Sequence, residues 1–303
     1  MPGIQAQLPA IPWASLSHIF MMGNGKGGVG KTSTTANAGG KAARSGLKTL
    51  IIDLNAQGNI ARELGYKKAE WNDGGAALSQ ALKDGTPLIP RENVRPNLDV
   101  VIGGPELGDK FLIHFHTLIA TEGPQVYLRL LMCLLPIVHQ YQIVIIDTPP
   151  ENPSLQRLGL CASRWLVIPV KSDGGAEDGL AQIGSEFAYV RWTSSLNPHV
   201  ELLGVLLFDT GRNFTGIHKD VRKQVQLVLG EDAHMFANIV GHTEKVARIV
   251  RQRGLLISEL NERRQAGDKS IPEAVESVYT DYEEFTEEMF GRALELRKEA
   301  EPA

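Results

Sequence analysis

Gly25, Gly30, Lys31 and Thr32 stand at the spacing G-x-x-x-x-G-K-T, and each residue type has a task around a nucleoside triphosphate. Glycines let the backbone turn its N–H groups inward toward phosphate oxygens. Lys31 would put a charge on the β and γ phosphates, and the Thr32 hydroxyl would take one position in the octahedral shell of Mg²⁺. The whole stretch from Gly25 through Lys26, Gly27, Gly28, Val29, Gly30, Lys31 and Thr32 to Ser33 is therefore the candidate nucleotide loop. It carries a second lysine, Lys26, that such a loop does not require.

Such a loop must join a strand to a helix. The apolar run 18–23 predicts a short buried strand, and 31–44, closed by Gly46, predicts a helix whose N-terminus favours anions. Two further runs, 50–54 ending near Asp53 and 143–147 ending at Asp147, look like buried parallel strands with carboxylates at their C-terminal ends. Asp147 is the candidate for holding Mg²⁺ through water, together with Thr32. Strand and helix signals alternate along the chain, so the expected fold is α/β: a doubly wound, mostly parallel sheet with helices on both faces.

The segments KGGVGKTSTTAN, LIIDLNAQGN and YQIVIIDTPP resemble the ParA/MinD family of deviant Walker-type ATPases, most closely its Soj-like ParA branch. The resemblance extends more loosely through LVIPV (166–170) and LLGVLLFDTGR (202–212), from about Phe20 to Ile257. It implies ATP and Mg²⁺ as cofactors, and a homodimer formed on ATP binding in which Lys26 reaches the partner's ATP like an arginine finger. It also implies non-specific DNA binding, a ParB-like centromere-binding or adaptor protein that stimulates slow hydrolysis, and a cytoplasmic, nucleoid-associated life moving a plasmid or chromosome locus. Lys26, Lys31, Asp53 and Asn55 are the catalytic candidates. The family usually reads D-L-D-P-Q-G-N where this chain reads Asp53-Leu54-Asn55-Ala56-Gln57-Gly58-Asn59. An amide at 55 can orient water but cannot take its proton, which predicts slow hydrolysis. A switch that binds ATP without hydrolysing it, or a positioning ATPase for a protein cargo, stays open.

Composition bounds these expectations. At 303 residues, 43% hydrophobic, the chain suits a single P-loop domain over 18–303 behind a flexible arm at 1–17. There is no room before Gly25 for the helix-turn-helix domain of larger ParA proteins, so operator repression is not expected. The longest apolar run, 130–138, contains Pro136 and is too short to span a bilayer. Two distant cysteines, Cys133 and Cys161, point to buried thiols in a reducing compartment. They are also misplaced for the cluster of the nitrogenase-iron-protein relatives that share the loop. His114 and His116 would share a strand face but have no third ligand.

Net charge is −4, so contact with DNA needs a local patch. Arg212, Lys219, Arg222, Lys223, Lys245, Arg248 and Arg251 fall in one span, with 219, 222 and 223, then 245, 248 and 251, spaced to share helix faces. Ordinary solvated faces have the same spacing. Arg212 lies where the resemblance places a DNA-contacting arginine. The adenine is expected around Phe208 and Asn238. The block 270–299 predicts a long terminal helix with an apolar stripe and an acidic polar face. Anionic lipid would repel that face, so no membrane partner is expected and the stripe should pack on the core.

Overall fold

Every residue of β1 (Ile19–Met22) and β2 (Thr49–Asp53), and all but the first of β5 (Ile143–Asp147), is buried in the computed structural model, which describes residues 10–171, 176–209, 215–241 and 243–300. Strands covered on both faces have no solvent side to mark with polar residues, hence their unbroken apolar runs. With β3 (Arg91–Arg95), β4 (Leu98–Val101), β6 (Trp165–Val170) and β7 (Glu201–Leu207) they form a seven-stranded sheet in the order β3-β4-β2-β5-β1-β6-β7. All pairings are parallel except β3 on β4. Asp147 is in register with Met22 on one side and with Asp53 on the other. That register levels the loop after β1 with both carboxylates, at the crevice where an open parallel sheet takes its ligand.

Helices cover both faces. On one lie α3 (Ala76–Asp84), α4 (Asp109–Glu122), α5 (Arg129–Val138), α6 (Pro153–Ala162), α7 (Ala176–Ala188) and α8 (Thr215–Leu229). On the other lie α1 (Lys31–Arg44), α2 (Asn59–Glu63), α9 (Glu244–Arg253), α10 (Ile257–Gln265) and α11 (Ala274–Ala300). The terminal helix packs as its stripe requires: Val275, Val278, Tyr282, Phe285 and Met289 are buried, while Tyr279 is partly so. Its acidic side is used as well. Glu283 pairs with Lys41 and Arg44 of α1 at 2.8 and 2.6 Å, and Glu288 accepts from the backbone N–H groups of Ala237 and Asn238 at 2.7 and 2.9 Å.

Several expectations change. His114 and His116 sit on α4, not on a strand, where residues two apart point to different sides; His116 Nε2 bonds the Ser154 hydroxyl at 2.9 Å. Residues 124–138 divide into a 3₁₀ turn, Pro124–Leu128, and α5. The expected arm is already packed in its second half, where Leu16 is buried and the Trp13 ring lies 5.4 Å from His199; residues 1–9 lie outside the described part. The strand β3, mostly exposed, has no apolar pattern to announce it. Both cysteines are free and buried, and no described helix is long and apolar enough to cross a membrane.

Candidate functional site

The glycine-rich loop is held from behind by side chains that its motif does not include. Asn24 is buried; its Nδ2 donates to Pro169 O at 2.8 Å, and its Oδ1 accepts from Lys26 N at 2.7 Å. Gly25 N donates to Gly179 O of α7 at 3.1 Å. Gly30 begins α1 at φ +89°, and a Cβ there would fall 2.5 Å from the Phe208 ring, so both the turn and the neighbour require glycine. The free N–H groups of the first turn of α1 then face the crevice, with the positive end of the helix dipole behind them.

Lys31 Nζ donates to Asn24 O at 3.1 Å and to Lys26 O at 2.7 Å. Burial pulls its pKa down to about 8, against the charges of Asp147 and Glu151. Thr32 Oγ1 donates to Asp147 Oδ2 at 2.7 Å. Asp147 is fully buried, and burial pushes its carboxyl up to about 7, opposed by the Thr32 bond and by Lys31. Its Oδ1 has no hydrogen-bond partner among the described residues. A buried carboxylate oxygen without a donor, beside a threonine hydroxyl at a helix N-terminus, fits Mg²⁺ held directly or through water.

Asp53 is also fully buried, its carboxyl raised well above the usual range first by burial and then by Asp147. Its oxygens accept from the N–H groups of Asn55 at 2.9 Å and Ile60 at 3.3 Å, which closes the turn after β2. Asn55 is 4% exposed, and its Oδ1 accepts from Gln57 N at 2.9 Å.

A cavity of about 490 Å³ opens above the loop, walled by Gly27, Gly28, Gly30, Lys31, Thr32 and Ser33 and, from the turn after β2, by Asn55 and Gln57. Phe208 also lines it, but Asn238 does not: its Nδ2 bonds Glu288 of α11 at 2.9 Å. Gly25 and Val29 are buried within the loop. Lys26 lies outside the lining, with its Cβ so close to α7 that a Cβ on Gly179 would come within 2.9 Å of it.

A second wall has no counterpart in the motifs. Arg62 and Glu63 enter from α2, and Glu244, Ala247 and Arg251 from α9. Glu63, 7% exposed, accepts from Ser33 Oγ at 3.1 Å. The α9 contribution had a faint signal in the spacing of 244, 247 and 251, which is one edge of a helix; Glu63 had none. The basic span is correspondingly divided. Lys219, Arg222 and Lys223 are exposed on α8, and Lys245 and Arg248 on α9, whereas Arg251 turns to the cavity. Arg212 lies outside the described residues.

Residues 17–202 match the AAA domain family. The chain is 30% identical over 207 residues to the chromosome partitioning protein ParA of Myxococcus xanthus, covering 66% of this chain and 69% of that one. To the sporulation initiation inhibitor protein Soj of Bacillus subtilis it is 32% identical over 194 residues, covering 63% and 72%. Among solved structures, apo McdA of Cyanothece shares the fold with a TM-score of 0.71 at 19% identity, over 90% of this chain and 99% of that one.

Proposed function

Because this chain belongs to the ParA/MinD family of Walker-type ATPases, we propose that it is a partition ATPase that dimerises around ATP, binds DNA without sequence preference and moves a plasmid or chromosome locus. The observation that carries this reading is the division of labour between the two lysines. Lys31 lines its own cavity, while Lys26 is outside the lining and set against α7, as expected of a lysine that serves a partner's nucleotide.

ATP with Mg²⁺ supplies the transferable phosphoryl group. The N–H groups of Gly27, Gly28 and Gly30 and the Lys31 ammonium would hold its phosphates, and Thr32 and Asp147 its metal. Asp53 acts as a positioning residue, since its carboxylate is spent on the turn that presents Asn55. The Asn55 carboxamide can orient water but takes no proton, and its oxygen already holds Gln57 N. Both facts favour slow hydrolysis, raised by a ParB-like partner, and keep a locked ATP-binding switch as the second reading.

Lys219, Arg222 and Lys223 on α8, with Lys245 and Arg248 on α9, form the exposed cations for the DNA backbone. The test is light scattering on the eluting protein, with and without a non-hydrolysable ATP analogue. The wild type is expected to become a dimer with the analogue, and Lys26→Ala to bind the analogue but remain a monomer. A Lys26→Ala protein that dimerises like the wild type would overturn the role given to Lys26.

A further inference from the structure

Arg251 is the cation that the fold takes away from the DNA-facing set, and its new surroundings give it a different task. With Glu244 and Ala247 it forms the edge of α9 that lines the phosphate-loop cavity, and Arg62 lines the same cavity from α2. Both arginines are exposed, and neither makes an ion pair among the described residues; the Arg251 Nε donates only to Ala247 O of its own helix, at 3.1 Å. The other two cations of the lining are already engaged. Lys31 bonds two loop carbonyls, and Lys171 lies 2.6 Å from Asp209. The Arg251 charge also acts on the Glu63 carboxyl of the same cavity; beyond offsetting it, two guanidinium groups over a glycine loop and a helix N-terminus favour an anion with several oxygens.

We propose that Arg62 and Arg251 close on the phosphates of the bound nucleotide from α2 and α9, and that Arg251 belongs to the nucleotide rather than to the DNA-binding face. The inference rests on ATP binding at the loop, as set out above. It gives α9 two adjacent edges. The inner edge touches the nucleotide through Arg251, and the outer edge presents Lys245 and Arg248 to the DNA backbone.

The experiment is a fluorescence titration of the full chain with N-methylanthraniloyl-ATP and the corresponding AMP at two salt concentrations, followed by duplex DNA binding at saturating ATP. Arg251→Gln and Arg62→Gln are each expected to lose about 10-fold in ATP affinity, the scale of one hydrogen bond to a charged group. Their salt dependence should be shallower and their loss for AMP smaller. Arg251→Lys keeps the charge and should recover part of the loss. At saturating ATP, Arg251→Gln should bind DNA within about twofold of the wild type, while a Lys245→Gln, Arg248→Gln double variant binds it more weakly. Wild-type affinity for ATP in Arg251→Gln, with weaker DNA binding at saturating ATP, would overturn the inference and return Arg251 to the DNA face. If the wild type itself binds no ATP, the underlying reading falls with it.

Discussion

Replacing Asp147 by Asn should make the nucleotide-free protein more stable, with a smaller advantage once nucleotide is bound. Burial raises the Asp147 carboxyl from 3.8 to about 7. At about 1.4 kcal/mol per pH unit, holding it ionised in the folded chain costs about 4 kcal/mol. The amide keeps the shape and still accepts from Thr32, and the bond that Thr32 gives the carboxylate is already counted in that cost. The gain near pH 8 is therefore about 4 kcal/mol, or roughly 5–10 °C in melting temperature. The folded chain holds this proton more tightly than the unfolded one. Stability therefore falls as pH rises from 3.8 toward about 7, and the penalty is complete above that. Near pH 5 the two proteins should accordingly differ by about 2 kcal/mol or less. Excess Mg²⁺ and ATP narrow the gap, because the wild type gains about 2.7 kcal/mol at a hundredfold excess over Kd, and the variant, lacking the charge that holds the metal, gains less. Calorimetry at both pH values, with and without Mg²⁺ and ATP, reads all four quantities. A variant that melts below the wild type near pH 8 without ligand would refute the reasoning, for it would mean that the buried carboxylate stabilises the fold.

Three further outcomes are expected. Gly30→Ala forces a side chain into a left-handed backbone and against Phe208, which should cost about 2–4 kcal/mol in urea unfolding, with partial recovery in a Phe208→Leu background. Asn55→Asp restores a group that can take a proton, and phosphate-release assays should show turnover rising about 100-fold or more. Changing Lys219, Arg222 and Lys223 together to Gln should weaken binding to all duplex sequences alike and lower the logarithmic salt slope by about 3, read by fluorescence anisotropy.

The loop, the strands on either side of it and the acidic strand ends were legible in the chain because their signals are local. Glycine spacing sets a turn, an apolar run sets a strand buried on both faces, and α1 begins and ends at the predicted residues. The polar edge strand β3 and the 3₁₀ turn before α5 were not legible. An exposed edge carries no apolar pattern, and the way a helical segment starts beside Gly123 and Pro124 depends on what packs over it.

By itself, then, the sequence determined the proposed phosphate site: Lys31, Thr32 and Asp147 follow from residue type and position on a strand-loop-helix unit. Only the tertiary structure decided which distant groups share the cavity. Glu63 reaches Ser33 because α2 lies beside α1, and Arg251 leaves its basic neighbours because the buried Val246 and Val250 orient α9 against the core. Helical spacing lists the faces available to a side chain. Packing of the apolar positions chooses among them, and that choice depends on contacts between segments far apart in the chain.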